Sequence, residues 1–255
     1  MRSLRVLILG GSSEASTLAR AIAGRPDLDA TLSLAGRTAS PLDLPIATRV
    51  GGFGGVAGLA AYLAAEQIAV LVDATHPFAT QMSEHACLAS QQTGVPLVRL
   101  TRGPWTPREG DRWHEVADMP AAAQALGSPP QRAFLTIGRL QLAAFAAARQ
   151  HHYLVRTIDP IGADHGLRDF RLIEARGPFA VDEEEALMRT HRVTVLVTKN
   201  SGGAASADKL AAARRLGLPV ILVRRPDEPG TAIHSVADAL AAIDSHRTPP
   251  TPRGV

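Results

Sequence analysis

The chain has 255 residues, 45% of them hydrophobic, and a formal charge of only +3, which is enough apolar content for one large or two modest α/β cores. No apolar run is long enough to span a bilayer, and 4% aromatic residues without a basic stripe give a nucleic acid little to bind. The single cysteine, Cys87, excludes an intramolecular disulfide and a cysteine metal cluster, and the nine histidines show no H-E-x-x-H spacing, so no metal site is expected.

Met1-Arg2-Ser3 leads so quickly into an apolar strand that no signal peptide is read, and the expected compartment is the cytoplasm. Strand-length apolar runs then alternate with amphipathic, Ala-rich helices. The order is strand Arg5 to Leu9, helix Glu14 to Ala23, strand Ala30 to Ala35, helix Val56 to Glu66, strand Ala69 to Asp73, helix Phe78 to Gln92 and strand Pro96 to Leu100. Residues 102–112 lose that periodicity and gain Pro and Gly, as a connector does. A second series follows: strand Ala133 to Ile137, helix Leu140 to Gln150, strands Tyr153 to Ile158 and Phe170 to Glu174, helix Asp182 to Thr190, strand Val193 to Thr198, helix Ala207 to Leu216 and strand Val220 to Val223. Such alternation builds parallel sheets covered by helices on both faces. The expected fold class is α/β, two Rossmann-like parallel-sheet domains with an interdomain cleft, the first over residues 1–103 and the second over 104–246. Residues 247–255, with Pro249, Pro250 and Pro252 and no apolar period, are expected to be a disordered tail.

In open α/β sheets ligands sit beyond the carboxyl ends of the strands. The first strand ends in Gly10-Gly11-Ser12-Ser13-Glu14, where a tight turn feeds a helix N-terminus, a natural seat for phosphate. The match to G-x-G-x-x-G is imperfect, Glu14 would repel a phosphate unless it faces aside, and plain turn chemistry is the competing reading. The second strand ends in Gly36-Arg37-Thr38; an arginine there suits the 2′-phosphate of NADP, the alternative being a solvated surface side chain. Gly51, Gly52, Gly54 and Gly55 surround Phe53 in a loop that either approaches a ligand or simply bends. Thr75 and His76 end the next strand ahead of Pro77, and His76 either contacts cofactor or substrate or is hydrogen-bonded locally.

In the second series, Gly138-Arg139 and Lys199-Asn200-Ser201-Gly202-Gly203 follow strands. The latter combines one of the two lysines with two polar side chains and a glycine pair, a set suited to an anion. Arg102, Arg156, Arg176 and Arg225 also fall at strand ends, a supply of guanidinium forks for carboxylates. A Walker loop and a G-x-S-x-G elbow are both missing, as is a lysine four residues after Tyr62 or Tyr153.

Ile8-Leu9-Gly10-Gly11-Ser12-Ser13-Glu14-Ala15, Ala35-Gly36-Arg37-Thr38, Gly51-Gly52-Phe53-Gly54-Gly55, Asp73-Ala74-Thr75-His76-Pro77-Phe78-Ala79, Thr136-Ile137-Gly138-Arg139, Arg176-Gly177-Pro178-Phe179 and Val197-Thr198-Lys199-Asn200-Ser201-Gly202-Gly203 together resemble the precorrin-6A reductases of cobalamin biosynthesis. The resemblance runs from Arg5 to about Pro226. It implies an oxidoreductase that uses NADPH to reduce one double bond of precorrin-6A, a polycarboxylate tetrapyrrole, to precorrin-6B. It further implies that Gly10 to Ser13, Gly36 to Thr38, Thr75 and His76 bind the cofactor. Arg139 and Lys199 to Gly203 would bind the substrate, with His76 and Lys199 nearest the chemistry. A similar enzyme takes the cobalt-containing counterpart, and a non-catalytic dinucleotide sensor is the reading from another class. A two-domain chain of this length can function alone, and a monomer is expected.

Overall fold

The structure is a computed structural model that describes residues 3–36, 43–204, 206–227 and 231–247. Arg37, Thr38 and residues 248–255 of the expected tail lie outside the described residues. The chain divides into two compact units, Met1–Arg102 with Pro226–Val255, and Gly103–Arg225.

The first unit is built on strands β1 (Leu4–Leu9), β2 (Leu28–Leu34), β3 (Ala47–Val50), β4 (Val70–Asp73) and β5 (Leu97–Arg99), paired in the order β3-β2-β1-β4-β5. Every pairing is parallel. Helices α1 (Ser13–Ile22), α2 (Val56–Ala65) and α3 (Thr80–Thr93) supply the crossovers. Side chains on a strand alternate between faces, so β1 serves two cores at once. Val6 and Ile8 pack with Leu18 and Ile22 of α1, whereas Leu7 and Leu9 pack with Leu59 and Leu63 of α2 and Ala86 and Ala89 of α3.

The second unit contains β6 (Trp113–Val116), α4 (Met119–Ala125), β7 (Arg132–Thr136), β8 (His152–Thr157), β9 (Phe170–Glu174), α5 (Val181–Thr190), β10 (Val195–Lys199), α6 (Asp208–Arg215) and β11 (Val220–Val223). Its strands form a second all-parallel sheet in the order β6-β11-β10-β7-β8-β9. Phe134, Leu154 and Leu196 from this sheet bury against Met188 of α5 and Leu210 of α6.

Three features differ from the sequence-based expectation. The stretch expected as a helix from Leu140 to Gln150 is instead a 3-10 turn over Arg139–Phe145. Its carbonyls accept three residues on, Ala143 from the Ala146 N–H and Phe145 from the Ala148 N–H, and the Tyr153 hydroxyl also donates to the carbonyls of Ala148 at 2.8 Å and Phe145 at 3.3 Å. β3, β6, α4, the 3-10 turn Ala163–His165 and the final helix α7 (Val236–Ser245) are not among the expected elements. Finally, residues 226–246 do not continue the second unit. Ala239 and Ile243 of α7 sit in the core beside α1, Ile233 bridges Leu100, and Arg25 binds both Asp27 and Asp244. Among the described residues no helix is long and apolar enough to cross a membrane.

Candidate functional site

In the first unit the chain leaves β1 for β2 and β3 on one side and returns to β4 and β5 on the other, so the strand order reverses between β1 and β4. That is where an open parallel sheet opens a crevice. The two turns that end these strands are tied together. Ser12 caps α1, accepting the Ala15 N–H at 3.1 Å, and its hydroxyl donates to the Ala74 carbonyl at 2.7 Å. The two glycines before it serve different ends. A Cβ on Gly10 would lie 2.8 Å from Leu32 Cδ1 and 2.9 Å from Leu34 Cδ2, so glycine lets these β2 side chains close over the turn, and a larger residue would make them shift. Gly11 has φ +131°, and a Cβ on it would point into the gap toward His76, 3.8 Å from that backbone nitrogen.

Glu14 stands in the first turn of α1, but its carboxylate is 2.7 Å from an Arg102 guanidinium nitrogen, which also donates to Ser13 Oγ at 3.1 Å. Its charge is therefore met inside the protein. On the β4 side, buried Asp73 accepts both the backbone N–H of Thr75 at 3.1 Å and its hydroxyl at 2.8 Å, and Thr75 Oγ1 lies 3.2 Å from Ser83 Oγ on α3. Thr75 thus braces the turn from within. His76 Nδ1 accepts the Phe78 N–H at 3.2 Å, which in the neutral ring leaves the proton on Nε2. Gly36, φ +70°, ends the turn after β2, where a Cβ would lie 3.2 Å from Val50 Cγ1. Arg49, not singled out in the sequence, donates to the carbonyls of Gly51 and Gly52 and stacks 3.9 Å over Phe53, which gives the glycine-rich loop a fixed shape.

The second sheet has its own reversal, between β7 and β10, and the motifs read from the sequence end those two strands. Gly138, φ +84°, precedes exposed Arg139, whose Nη1 reaches the Pro160 carbonyl at 3.4 Å. Lys199 closes β10, and burial lowers its ammonium from the ordinary 10.5 to about 8. Ser201 donates its N–H to the Lys199 carbonyl at 2.7 Å, folding the chain back beside it. The Asn200 amide, by contrast, is held on both sides by the backbone of Trp105.

Two of the strand-end arginines are spent inside the second unit. Arg156 forms a buried bidentate pair with Glu184 of α5 and lies under the Phe179 ring, 3.8 Å from its centroid. Arg225 donates to the carbonyls of Asn200 and Ser201. Residue type and strand-end position flagged these arginines; their partners lie too far away in sequence for spacing to reveal them. Among the described residues, no group of three or more His, Cys, Asp or Glu is arranged to hold a metal ion.

Two parallel sheets, each with a glycine-containing turn at its strand-order reversal, one of them opening a helix N-terminus and the other following a lysine, define an α/β protein with a Rossmann-like fold. The family model described as "Precorrin-6x reductase CbiJ/CobK" matches residues 5–244. This chain belongs to that family and is an oxidoreductase of cobalamin biosynthesis. It is 48% identical over 252 residues to the precorrin-6A reductase of Rhodobacter capsulatus, covering 98% of this chain and 99% of the relative. To that of Mycobacterium tuberculosis H37Rv it is 40% identical, covering 95% of each chain. Similarity to the cobalt-precorrin-6A reductase of Priestia megaterium is 30% over 187 residues, 69% of this chain and 73% of that one. A solved structure of CobK precorrin-6A reductase superposes with a TM-score of 0.91 at 48% identity, covering 98% of this chain and 99% of the other. The non-catalytic sensor reading falls with membership in a family of reductases.

Proposed function

We propose that the chain reduces precorrin-6A to precorrin-6B with NADPH, as a cytoplasmic monomer. The observation that carries this reading is the position of the Gly10–Ser13 and Lys199–Gly203 motifs at the strand-order reversals of the two sheets. The metal-free substrate is favoured over the cobalt-containing one because relatives named for it share 40–50% identity, against 28–30% for those named for the cobalt form.

The first unit fits a dinucleotide. Gly11 leaves open the space a Cβ would fill, α1 directs its N-terminal dipole there, and Arg102 pairs with the Glu14 carboxylate, which would otherwise oppose a phosphate. Gly10 to Ser13 would hold the pyrophosphate, Gly36, Arg37 and Thr38 the adenosine ribose and its 2′-phosphate, and Thr75 and His76 would flank the nicotinamide. When bound, NADPH would supply a hydride to a ring carbon, and a proton added elsewhere on the conjugated system would complete the two-hydrogen gain. The second unit would grip the carboxylates of the macrocycle through Arg139, Lys199 and the turn Ser201-Gly202-Gly203. Catalysis on this reading is mainly orientation and charge stabilisation, with His76 Nε2–H as a donor to developing charge.

Cofactor choice is tested by replacing Arg37 with Ala. NADPH binding should weaken about tenfold or more while NADH binding hardly changes, since only the former carries the 2′-phosphate. Equal loss for both cofactors would remove Arg37 from that role.

A further inference from the structure

Asn200 sits among the candidate substrate ligands, yet its side chain is buried and both ends of its amide bond to the main chain of one residue. Oδ1 accepts the Trp105 N–H at 2.8 Å, and Nδ2 donates to the Trp105 carbonyl at 3.1 Å, a two-way clasp on a single main-chain residue. The same tryptophan reaches the far end of the loop, where its indole N–H donates to the Gly203 carbonyl at 2.8 Å. One residue therefore holds both the first and the fourth positions of the loop that follows Lys199. Between them, Gly202 has φ +67°, and a Cβ there would lie 2.0 Å from the Gly103 carbonyl oxygen, so the strand of chain entering the second unit lies directly against it. Arg225 closes the loop from the other end of the unit, its Nη2 donating to the Ser201 carbonyl at 3.0 Å.

Trp105 is itself anchored. Its ring packs against the core beneath α6, and the ammonium of buried Lys209 lies 5.1 Å from its centroid. Glycine-rich loops are normally mobile and lose entropy when they close on an anion. Here three groups of bonds remove that freedom beforehand, and each buried polar group involved would be costly to leave unpaired. The side-chain bonds of Trp105, Asn200 and Arg225 converge on the loop beside Lys199, while the Asn200 N–H continues the sheet ladder to the Val223 carbonyl.

We propose that Trp105 and Asn200 are positioning residues for the substrate half of the site: they preform the turn Ser201-Gly202-Gly203 and with it the setting of Lys199, so that substrate carboxylates meet a rigid receptor. This rests on the proposed function. Asn200 acts through the loop and makes no contact with substrate.

The test is steady-state kinetics with the full-length enzyme, precorrin-6A and NADPH, comparing wild type with Asn200→Asp and Trp105→Phe. Asn200→Asp sets a carboxylate against the Trp105 carbonyl and should raise the KM for precorrin-6A about tenfold, since a displaced anchoring group can cost that much or more. Trp105→Phe keeps an aromatic ring and the main-chain clasp, deletes the indole bond to Gly203 along with part of the packing on Lys209 and the core, and should raise the same KM about threefold, chiefly through the loss of one neutral hydrogen bond. In both variants kcat and the NADPH KM should stay near wild type, while the thermal midpoint should fall by a few degrees, because each change leaves a buried polar group without its partner. An unchanged precorrin-6A KM in both variants overturns the proposal. So does a rise of both KM values by the same factor, which would make the residues structural only. A wild-type enzyme that does not reduce precorrin-6A would overturn the proposed function and this inference together, whereas an active wild type with unaffected variants overturns the inference alone.

Discussion

Arg102 holds a guanidinium nitrogen 2.7 Å from the Glu14 carboxylate, in the first turn of the helix that follows Gly10 and Gly11. The pair explains how an acidic residue can occupy a position proposed to receive phosphate. Arg102→Ala should leave Glu14 uncompensated and weaken NADPH binding about tenfold, whereas the double variant Arg102→Ala/Glu14→Gln should recover most of it, because repulsion rather than loss of a ligand contact is at work. Fluorescence titration of NADPH measures both. A double variant as weak as the single one would show that Arg102 binds the cofactor directly.

Lys199 gives the reaction a pH signature. Its ammonium, lowered to about 8 by burial, carries its charge below that pH and loses it above. The KM for a polycarboxylate substrate should be flat under about pH 7 and climb as pH passes 8, while Lys199→Arg should stay flat, since a guanidinium keeps its charge beyond about pH 12. The stability sign is opposite to that of a salt-bridged lysine. With the folded pKa below the unfolded one of about 10.4, burying the charge costs stability at low pH, and the cost fades as pH rises from 8 toward 10. A pH-independent KM would exclude the ammonium from substrate binding.

The Arg156–Glu184 pair is a matter of folding. Both side chains are buried, and Phe179 covers the guanidinium. Glu184→Ala should cost about 3–5 kcal/mol by denaturant unfolding, because it strands a buried charge, and Arg156→Met/Glu184→Leu should regain most of that. A loss under about 1 kcal/mol in the single variant would mean that water reaches Arg156 once its partner is gone.

Asp27 and Asp244 gather around Arg25, where α7 rejoins the first unit. Hydrogen bonds from Arg25 lower the Asp27 carboxyl to about 2 and lower that of Asp244 in the same direction. Depressed folded values mean that the stabilisation is complete above the ordinary carboxylate range near 4 and is lost as pH falls toward 2. Thermal midpoints taken from pH 6 downward should therefore fall more steeply for wild type than for Arg25→Ala. Parallel curves would show that this cluster does not anchor α7.

Much of the fold was legible because the buried strands announce themselves. Val6 to Leu9 and Leu196 to Val197 are uninterrupted apolar runs, each ended by glycine or polar residues, and β9 and β11 were read to their last residue. Edge strands carry less signal. β3 is largely exposed and β6 half so, and neither shows a run of apolar residues. The return of α7 to the first unit rests on contacts such as Arg25 to Asp244, separated by 219 residues, which no local pattern encodes. At the site, turn positions could be read from Gly10, Gly11 and Gly138, but the allocation of side chains could not. Asn200 and Arg156 look like ligands in sequence, and only their partners Trp105 and Glu184 reveal what they hold. Trp105, one of two tryptophans in the chain, lay in a segment read as a mere connector.

The most direct measurement is anaerobic mixing of the purified protein with precorrin-6A and NADPH, following cofactor oxidation at its near-ultraviolet band and the tetrapyrrole by mass. Stoichiometric loss of NADPH with a two-hydrogen gain in the macrocycle is the expected result. Absence of turnover with precorrin-6A, while the cobalt-containing counterpart is reduced, would contradict the substrate assigned, and inertness toward both would contradict the reductase activity proposed for this chain.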